Sequence, residues 1–565
     1  MKRPKGKFFR FFTKKKIIIL LFVSFLFLRL FVDSPSTLYG SDSIKFFETA
    51  KRFPHHTLYN DQLYLLHPPF FPYVIHFFTL IFQEDHIAGI FISMVSSIVT
   101  FFVLYHFFMM LTKNFNLTFF VLLFFTLSDS FIIASYSPLR ESFLIMLIFL
   151  TLYFYVRGIK FINAESLILA TIFGSILGLT SDHFVFLIPT LGLSYIFWNS
   201  KKVDLIKFKF PDLKYAVVPV IIMMLFYGSW AVIKFTQYTS YDYYPNGEEG
   251  TPVNTQNLGF FQLFNPELFE DIEGPYIKPG IASIIKKLAF NFGYMFNIEP
   301  FSIPRGLNFI TMKFLLYPRH LIYMFLIYFP LAIIALFGFY SIIKDFIKNK
   351  QIYSNFNLYI LLLFLIFLFP ITQKYVSPRY IYASYIFLFY FLSYGFVLLL
   401  NKKWRKHISS RLIPAIAMLL LIVIPFWYYQ NPNFVLLNKK VISAQNTANF
   451  INNNLDKEDA IMAQPGYSAK LIYLTGHRTV GLYPIPEKLL DVIDYYNISY
   501  VIFGKRYTLD IHHYATDSVE FIRDNPDKFE LVATIPEDYS DFYVEGDTAR
   551  TDEVYIYRVK NTFSS

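Results

Sequence analysis

The chain has 565 residues, of which 55% are hydrophobic and 21% aromatic, and its mean hydropathy is +0.42. Only 16% of the residues are charged, too few for a water-soluble protein of this length. The composition therefore excludes a soluble fold and predicts a polytopic α-helical membrane protein. The absence of cysteine from the sequence excludes disulfides, thiol catalysis and cysteine-ligated zinc.

The net charge of +11 arises from basic residues in short loops between apolar runs. This distribution is the one that the positive-inside rule requires of a membrane protein. No zinc-ligand pattern or basic recognition helix accompanies it in the sequence. We therefore expect membrane lipids, and no nucleic acid, among the partners.

The first apolar run, residues 17–32, follows a basic N-terminus (residues 1–16) and has no small-residue cleavage site after it. This pattern predicts an uncleaved anchor with a cytoplasmic N-terminus in a multi-pass protein of the cell membrane. Further spans are predicted at 87–111, 117–134, 142–157, 165–180, 183–198, 213–233, 318–343, 355–371, 380–400 and 411–429.

The apolar run 70–82 contains Pro72 and is short for a membrane span. As a helix it is only about 20 Å long, whereas the hydrocarbon core is about 30 Å thick. If this run lies in the interface, the lysine- and arginine-rich loops share the side of the basic N-terminus; if it crosses, they oppose it. We therefore predict about eleven transmembrane helices plus one interfacial helix. The outer loops are then 33–86, 135–141, 181–182, 234–317 and 372–379, followed by the tail.

The tail, residues 431–565, follows a predicted transmembrane domain that covers residues 17–430. Its β-rich segments are 460–463, 479–482, 498–503, 529–535 and 553–559, and its helical segments are 444–455, 467–473 and 486–496. Alternating strands and helices predict a small α/β domain, which we expect to be extracytoplasmic. The loop 234–317 is long enough for a lid or an acceptor platform.

Four polar features occur in the predicted outer loops. Asp42 follows the first span by about ten residues, where an enzyme with a membrane-borne donor would place its base. The other three are His67 before Pro68-Pro69, Arg140-Glu141 before the span 142–157, and Lys374 with Arg379-Tyr380 before the span 380–400.

Each feature also has a purely structural interpretation. Asp42 fits a helix cap on a surface loop. Glu141 fits a residue that caps its helix or pairs with Arg140. Arg379 fits an interfacial anchor that reaches the lipid headgroups, and His67 fits interfacial packing.

The order and spacing of these features resemble polyprenyl-phosphate-dependent glycosyltransferases of the GT-C class. The resemblance is closest to protein O-mannosyltransferase-like and aminoarabinose-transferase-like members. Its motifs are residues 65–72 (LLHPPFFP) and 135–142 (SYSPLRES), and it is best over residues 17–200. The first loop has a single acid at Asp42, where protein O-mannosyltransferases often have adjacent acids. The WWDYG signature of oligosaccharyltransferases is absent from the sequence.

The resemblance implies an inverting transfer of a hexose or pentose, with mannose as a candidate, from a polyprenyl phosphate to an acceptor hydroxyl at the outer face. Asp42 would then be the general base, and Glu141 would orient the acceptor, steady the charge on the sugar or help to hold a divalent ion (Mg, Mn or Zn). The residues implied to bind the donor phosphate are Arg379, His67 and Lys374, with Arg140, Tyr380 and Asp182 in support.

Two alternatives remain open at this point. A transporter or lipid flippase would show inverted repeats and charges around a midplane cavity, whereas no internal repeat is visible and the candidate charges lie near one surface. A non-catalytic component of surface-glycan assembly would share the architecture without turnover. The acceptor, whether protein, lipid or glycan, is left open.

Overall fold

The computed structural model describes residues 13–31, 41–55, 68–181, 184–199, 210–240, 329–349, 356–368, 382–401, 444–463, 467–482, 486–504, 516–538 and 551–560. These residues fall into two compact units. The first unit takes its residues from Met1–Val32, Leu65–Phe70 and Ile90–Leu436, and the second from Asp33–Tyr64, Phe71–Gly89 and Leu437–Ser565. The predicted boundary near residue 430 stays a prediction, since the second unit also takes in parts of the first outer loop.

The helices before the tail follow the apolar runs of the sequence, except the helix Ser41–Lys51, which is polar overall and was not predicted. They are α1 Lys14–Leu30, α2 Ser41–Lys51, α3 Phe70–Phe82, α4 Asp85–Thr112, α5 Phe115–Leu127, α6 Asp129–Tyr136, α7 Glu141–Phe161, α8 Ala164–Gly178, α9 Phe184–Asn199, α10 Phe210–Ser240, α11 Phe329–Asn349, α12 Phe356–Leu368 and α13 Tyr382–Asn401. Every predicted span except 411–429, which lies outside the described residues, overlaps at least one of these helices. The run 117–134 differs from its prediction, because the helix breaks at Ser128 into α5 and α6.

Within the described residues, α4, α7, α10 and α13 are long and apolar enough to cross a membrane. The pair α5 and α6, bent by 62°, adds a broken fifth candidate. The helices α3, α8, α9 and α12 are apolar but shorter. The chain is therefore a helical membrane protein, and the number eleven stays a prediction.

The helix α3 begins and ends at the residues that the sequence predicted for the interfacial piece. Its side chains Phe77, Leu80 and Ile81 are exposed, as expected of a helix whose apolar face contacts lipid.

Hydrogen bonds of buried tyrosine hydroxyls connect helices of the first unit. Ser194 of α9 and Tyr359 of α12 share a hydrogen bond of 2.7 Å between their hydroxyls, and Tyr155 of α7 donates to the carbonyl of Ala216 in α10 at 3.1 Å. Tyr390 of α13 donates to the side-chain oxygen of Asn357 in α12. Each of these hydrogen bonds satisfies a buried hydroxyl and fixes one helix against another.

The tail forms a mixed sheet. Its elements are α14 Gln445–Asn454, β1 Ala460–Ala463, α15 Tyr467–Thr475, β2 Thr479–Gly481, α16 Pro486–Tyr496, β3 Ile498–Gly504, α17 Thr516–Asp524, β4 Phe529–Asp538 and β5 Thr551–Val559. The strand order is β2-β1-β3-β5-β4, with β2, β1 and β3 parallel and β5 antiparallel to both β3 and β4. Each strand and helix predicted for the tail overlaps one of these elements. The sequence analysis missed α17, although Val519 and Ile522 on it are buried.

A prediction follows from the close approach of α11 and α13. A Cβ atom on Gly338 would collide with the carbonyl oxygen of Phe391, and one on Gly395 with the carbonyl oxygen of Ile334. Because backbone atoms cannot rotate away, we expect Gly338→Ala and Gly395→Ala each to cost about 1–3 kcal/mol of stability. Thermal unfolding of the purified protein in detergent measures the loss. Gly228→Ala is the control, since its Cβ meets nothing within 4 Å. Equal melting temperatures for all three variants would contradict this packing.

Candidate functional site

The break between α5 and α6 is held by a charged side chain. Arg29 of α1 is only 1% exposed, and its Nη2 donates to the carbonyl of Phe125 at 3.0 Å and its Nη1 to that of Thr126 at 3.2 Å. These carbonyls belong to the last turn of α5, where the helix supplies no donors of its own. A cation at this end also complements the helix dipole. Arg29 thus caps α5 where water cannot.

Two further hydrogen bonds and a ring contact use the rest of the guanidinium. Arg29 Nε donates to Ser97 Oγ at 3.3 Å, and Nη1 donates to the carbonyl of Phe25 at 3.4 Å. The guanidinium carbon lies 3.7 Å from the centroid of the Phe25 ring. The charged guanidinium is therefore surrounded by neutral hydrogen-bond acceptors and by an aromatic ring.

The segment after α6 is a turn, residues 137–140, that leads into α7. The hydroxyl of Ser93 in α4 donates to the carbonyl of Leu139 at 3.1 Å, and Ser137 Oγ donates to the carbonyl of Ile133 at 2.9 Å. Arg140, which precedes the first residue of α7, donates from Nη1 to the carbonyl of Thr180 at 3.3 Å. The turn is therefore anchored both to α4 and to the end of α8.

The turn 179–181, which follows α8, also contacts the start of α3. The amide of Phe70, the first residue of α3, donates to the carbonyl of Leu179 at 3.0 Å. The Phe70 ring also stacks on Phe143 of α7, with centroids 6.3 Å apart. Within the first unit, the start of α3, the turn 137–140 and the turn 179–181 thus meet at one place. The start of α3 and the turn 137–140 lie in loops predicted to face outward, and the turn 179–181 lies where the span 165–180 was predicted to end on that side.

Glu141 is the first residue of α7 at this meeting point and is 8% exposed. A carboxylate in the first turn of a helix is stabilised by the positive end of the helix dipole. This geometry agrees with the structural interpretation of Glu141 as a capping residue. It also leaves a buried acid beside Arg140, the kind of group that active sites use.

Asp42 is the second residue of α2 and belongs to the second unit. The helix buries Ile44, Phe46 and Phe47 almost completely, so its N-terminal turn is attached to a well-packed helix. Of the Asp42 side chain nothing is described. The other predicted site residues lie outside the described residues: His67, Asp182, Lys374, Arg379 and Tyr380.

The described ranges contain no group of three or more His, Asp or Glu side chains arranged to hold a metal ion. The divalent cation implied by the resemblance therefore stays a prediction. Asp42 and Glu141 remain its candidate ligands, since carboxylates suit hard cations.

Two residues of importance were missed by the sequence reasoning. Arg29 could have been found as a charge inside an apolar span, which in membrane proteins marks a functional or structural requirement. Thr180, whose carbonyl holds Arg140, carried no such signal, because a backbone acceptor leaves no trace in the sequence.

We predict that Arg29→Met destabilises the protein by about 1–3 kcal/mol, because it removes the donor from buried carbonyls at the end of α5. Arg29→Lys should lose less, since it keeps the charge. Thermal unfolding in detergent is the measurement. Arg157→Met, at an exposed arginine of α7, is the matched control. If Arg29→Met unfolds at the temperature of this control, Arg29 does not hold the break.

The comparisons with known proteins concern both sequence and fold. Residues 66–230 match the family model of dolichyl-phosphate-mannose-protein mannosyltransferase. No curated protein matches the chain.

The solved structures that match this chain include two forms of an oligosaccharyltransferase and the transferase ArnT. The oligosaccharyltransferase AglB from Archaeoglobus fulgidus, in complex with an inhibitory peptide and a dolichol-phosphate, has a TM-score of 0.54 at 11% identity, over 92% of this chain and 73% of that one. The apo form of the A. fulgidus oligosaccharyltransferase gives 0.52 at 11% identity, over 90% and 72%. Apo ArnT from Cupriavidus metallidurans gives 0.48 at 13% identity, over 95% and 96%. Through the sequence of residues 66–230 and through its fold, this chain resembles the GT-C class of membrane glycosyltransferases, which confirms the resemblance predicted from the sequence.

Proposed function

We propose that this protein is an inverting membrane glycosyltransferase that moves a sugar from a polyprenyl phosphate to an acceptor hydroxyl at the outer face of the membrane. One observation supports this most directly. The part of the chain that matches the mannosyltransferase family, residues 66–230, includes the three segments that meet around Arg140 and Glu141. The family likeness therefore includes the part of the candidate site around Arg140 and Glu141, and Asp42 and Arg379 lie outside the matched residues.

The donor class follows from the same likeness. The matching family is named for a dolichyl-phosphate mannose donor, and the AglB structure contains a dolichol-phosphate. We therefore expect a polyprenyl-phosphate sugar as substrate and mannose as the first sugar to test. Protein, lipid and glycan hydroxyls are the acceptors to compare.

The reaction is a single displacement. The acceptor oxygen forms a bond to the anomeric carbon, the bond from that carbon to the phosphate oxygen breaks, and the configuration at the carbon inverts. Asp42 takes the proton from the acceptor hydroxyl. The leaving group is the polyprenyl phosphate, whose growing negative charge is stabilised by cations; Arg379 is the first candidate, followed by His67 and Lys374.

Glu141 acts on the sugar and acceptor side in this scheme. Its burial in the first turn of α7 supports this role, because a negative charge held there would stabilise positive charge that develops on the sugar ring. Arg140 supports it, because its bond to Thr180 fixes the turn from which Glu141 projects. The support given by Asp182 and Tyr380 is proposed from the resemblance alone.

The first prediction of this mechanism concerns Asp42. Removal of the base should lower the release of polyprenyl phosphate by Asp42→Asn about 10²–10⁴-fold, because proton transfer in the transition state contributes that much. The assay uses full-length protein in nanodiscs with a panel of polyprenyl-phosphate sugars, with and without Mg²⁺, Mn²⁺, Zn²⁺ and a chelator. Crude membrane extract supplies the acceptor.

Asp491→Asn serves as the control for this substitution, since Asp491 is an exposed acid of α16. Release by the wild type that is lost only in Asp42→Asn supports the enzyme. Absence of release from every donor would overturn the proposal in favour of a transporter, a flippase or an assembly component. Full activity in the chelator would remove the divalent ion from the mechanism.

A second prediction concerns Glu141. Glu141→Gln keeps the shape and the hydrogen-bonding oxygen but removes the charge, so we expect kcat to fall about 10- to 100-fold while the KM for the donor stays unchanged. The thermal stability of the variant is measured alongside. A large loss of stability with an unchanged kcat would show that Glu141 is only a helix cap.

A further inference from the structure

The helix α2, which carries Asp42, packs against two other helices of the second unit. On one side it contacts α3: Phe46 meets the Phe71 ring edge-on with centroids 5.1 Å apart. The carbonyl of Ala50 also lies 2.9 Å from His76 Nδ1. On the other side it contacts α15 of the tail, where Phe47 packs on Tyr473 with centroids 6.0 Å apart.

Lys51, the last residue of α2, contacts three groups on the side that faces α15. Its Nζ lies 3.1 Å from Glu48 Oε1, 3.8 Å from Asp85 Oδ2 and 4.0 Å from the centroid of the Tyr473 ring. The Glu48 and Asp85 side chains are only 12% and 9% exposed, so their attraction for the ammonium is weakly screened by water. The side chain of Lys51 is 44% exposed, which keeps part of its hydration.

The Tyr473 ring is suited to this cation. Burial raises the pKa of its hydroxyl, and the nearby carboxylates of Asp85 and Glu48 raise it further, so the ring stays neutral at physiological pH. A neutral aromatic face attracts an ammonium, more strongly where water is partly excluded. The same ring therefore provides Phe47 with packing and Lys51 with a π contact.

We propose that Tyr473 and Lys51 are positioning residues for Asp42, which fasten the helix of the candidate base to the α/β tail. The proposal rests on the glycosyltransferase function proposed above. In this arrangement the tail fixes the N-terminal turn of α2 through contacts at residues 47 and 51, so that the base does not drift relative to its own unit. A displacement of about 1 Å at a reacting group costs about 10²-fold in rate, so a loosened α2 would be visible in turnover.

The first measurement is the steady-state release of polyprenyl phosphate by full-length variants. We expect Tyr473→Phe to retain the wild-type kcat, because it keeps the ring. Tyr473→Leu and Lys51→Met should lose about 10- to 100-fold in kcat at an unchanged donor KM. Tyr495→Leu and Lys457→Met are the matched controls, since both residues are exposed in the same unit. Losses carried by the donor KM alone, or equal losses in the controls, would overturn the proposal.

A second measurement reports on α2 without activity. Because the chain has no cysteine, Asp42→Cys creates one labelling position for a spin label. We expect an ordered spectrum in the otherwise wild-type chain and in Tyr473→Phe. In Tyr473→Leu and Lys51→Met we expect a more mobile one. Unchanged spectra in both loss variants would show that these residues do not hold α2.

The two measurements separate the proposals. If the spectra respond as expected but the wild-type protein releases no polyprenyl phosphate, Tyr473 and Lys51 do attach α2 to the tail, but the protein is not the proposed enzyme. The role of these residues in positioning a base is then refuted as well. Turnover that falls in Asp42→Asn but not in Tyr473→Leu would retain the enzyme and refute the positioning role.

Discussion

The first unit depends on the capping of a broken helix by Arg29. A chain that bends inside an apolar environment exposes carbonyls that no water can satisfy, so the bend between α5 and α6 requires donors from elsewhere. Arg29 supplies them to Phe125 and Thr126 from another helix. The helix α6 then leads into the turn 137–140, so the interaction lies one short helix before the start of α7. A charge that is costly in a membrane helix thus satisfies backbone groups at the break.

The candidate site itself is built from helix ends rather than helix faces. The carbonyls of Leu179 and Thr180, which continue the end of α8, accept from the amide of Phe70 and from the guanidinium of Arg140. Unsatisfied backbone groups at helix ends thus serve as the attachment points for neighbouring loops. This arrangement leaves the acid Glu141 at a helix N-terminus, where its charge is stabilised while its burial keeps it out of bulk water.

The second unit shows a different construction principle. Its helix α2 comes from the first outer loop, yet its aromatic side chains pack on α3 and on α15 of the tail. The core of the sheet is formed by residues of α14, α15, β1, β3 and β5, including Ile451, Leu471 and Ile502. The tail therefore packs against a segment that precedes it by some 400 residues in the chain, and the two belong to one compact unit.

The sequence by itself determined the class of the protein, the position of most helices and the strands of the tail. Apolar runs and periodicity are local properties, which is why α3 and α16 begin and end at the predicted residues. The resemblance to GT-C glycosyltransferases was also present in short local motifs. The break at Ser128, the partners of Arg29 and the assignment of α2 to the unit of the tail were decided only by the tertiary structure. Each depends on contacts between residues far apart in the chain, such as Arg29 with Phe125 and Phe47 with Tyr473, and no local pattern encodes which distant donor or ring will arrive.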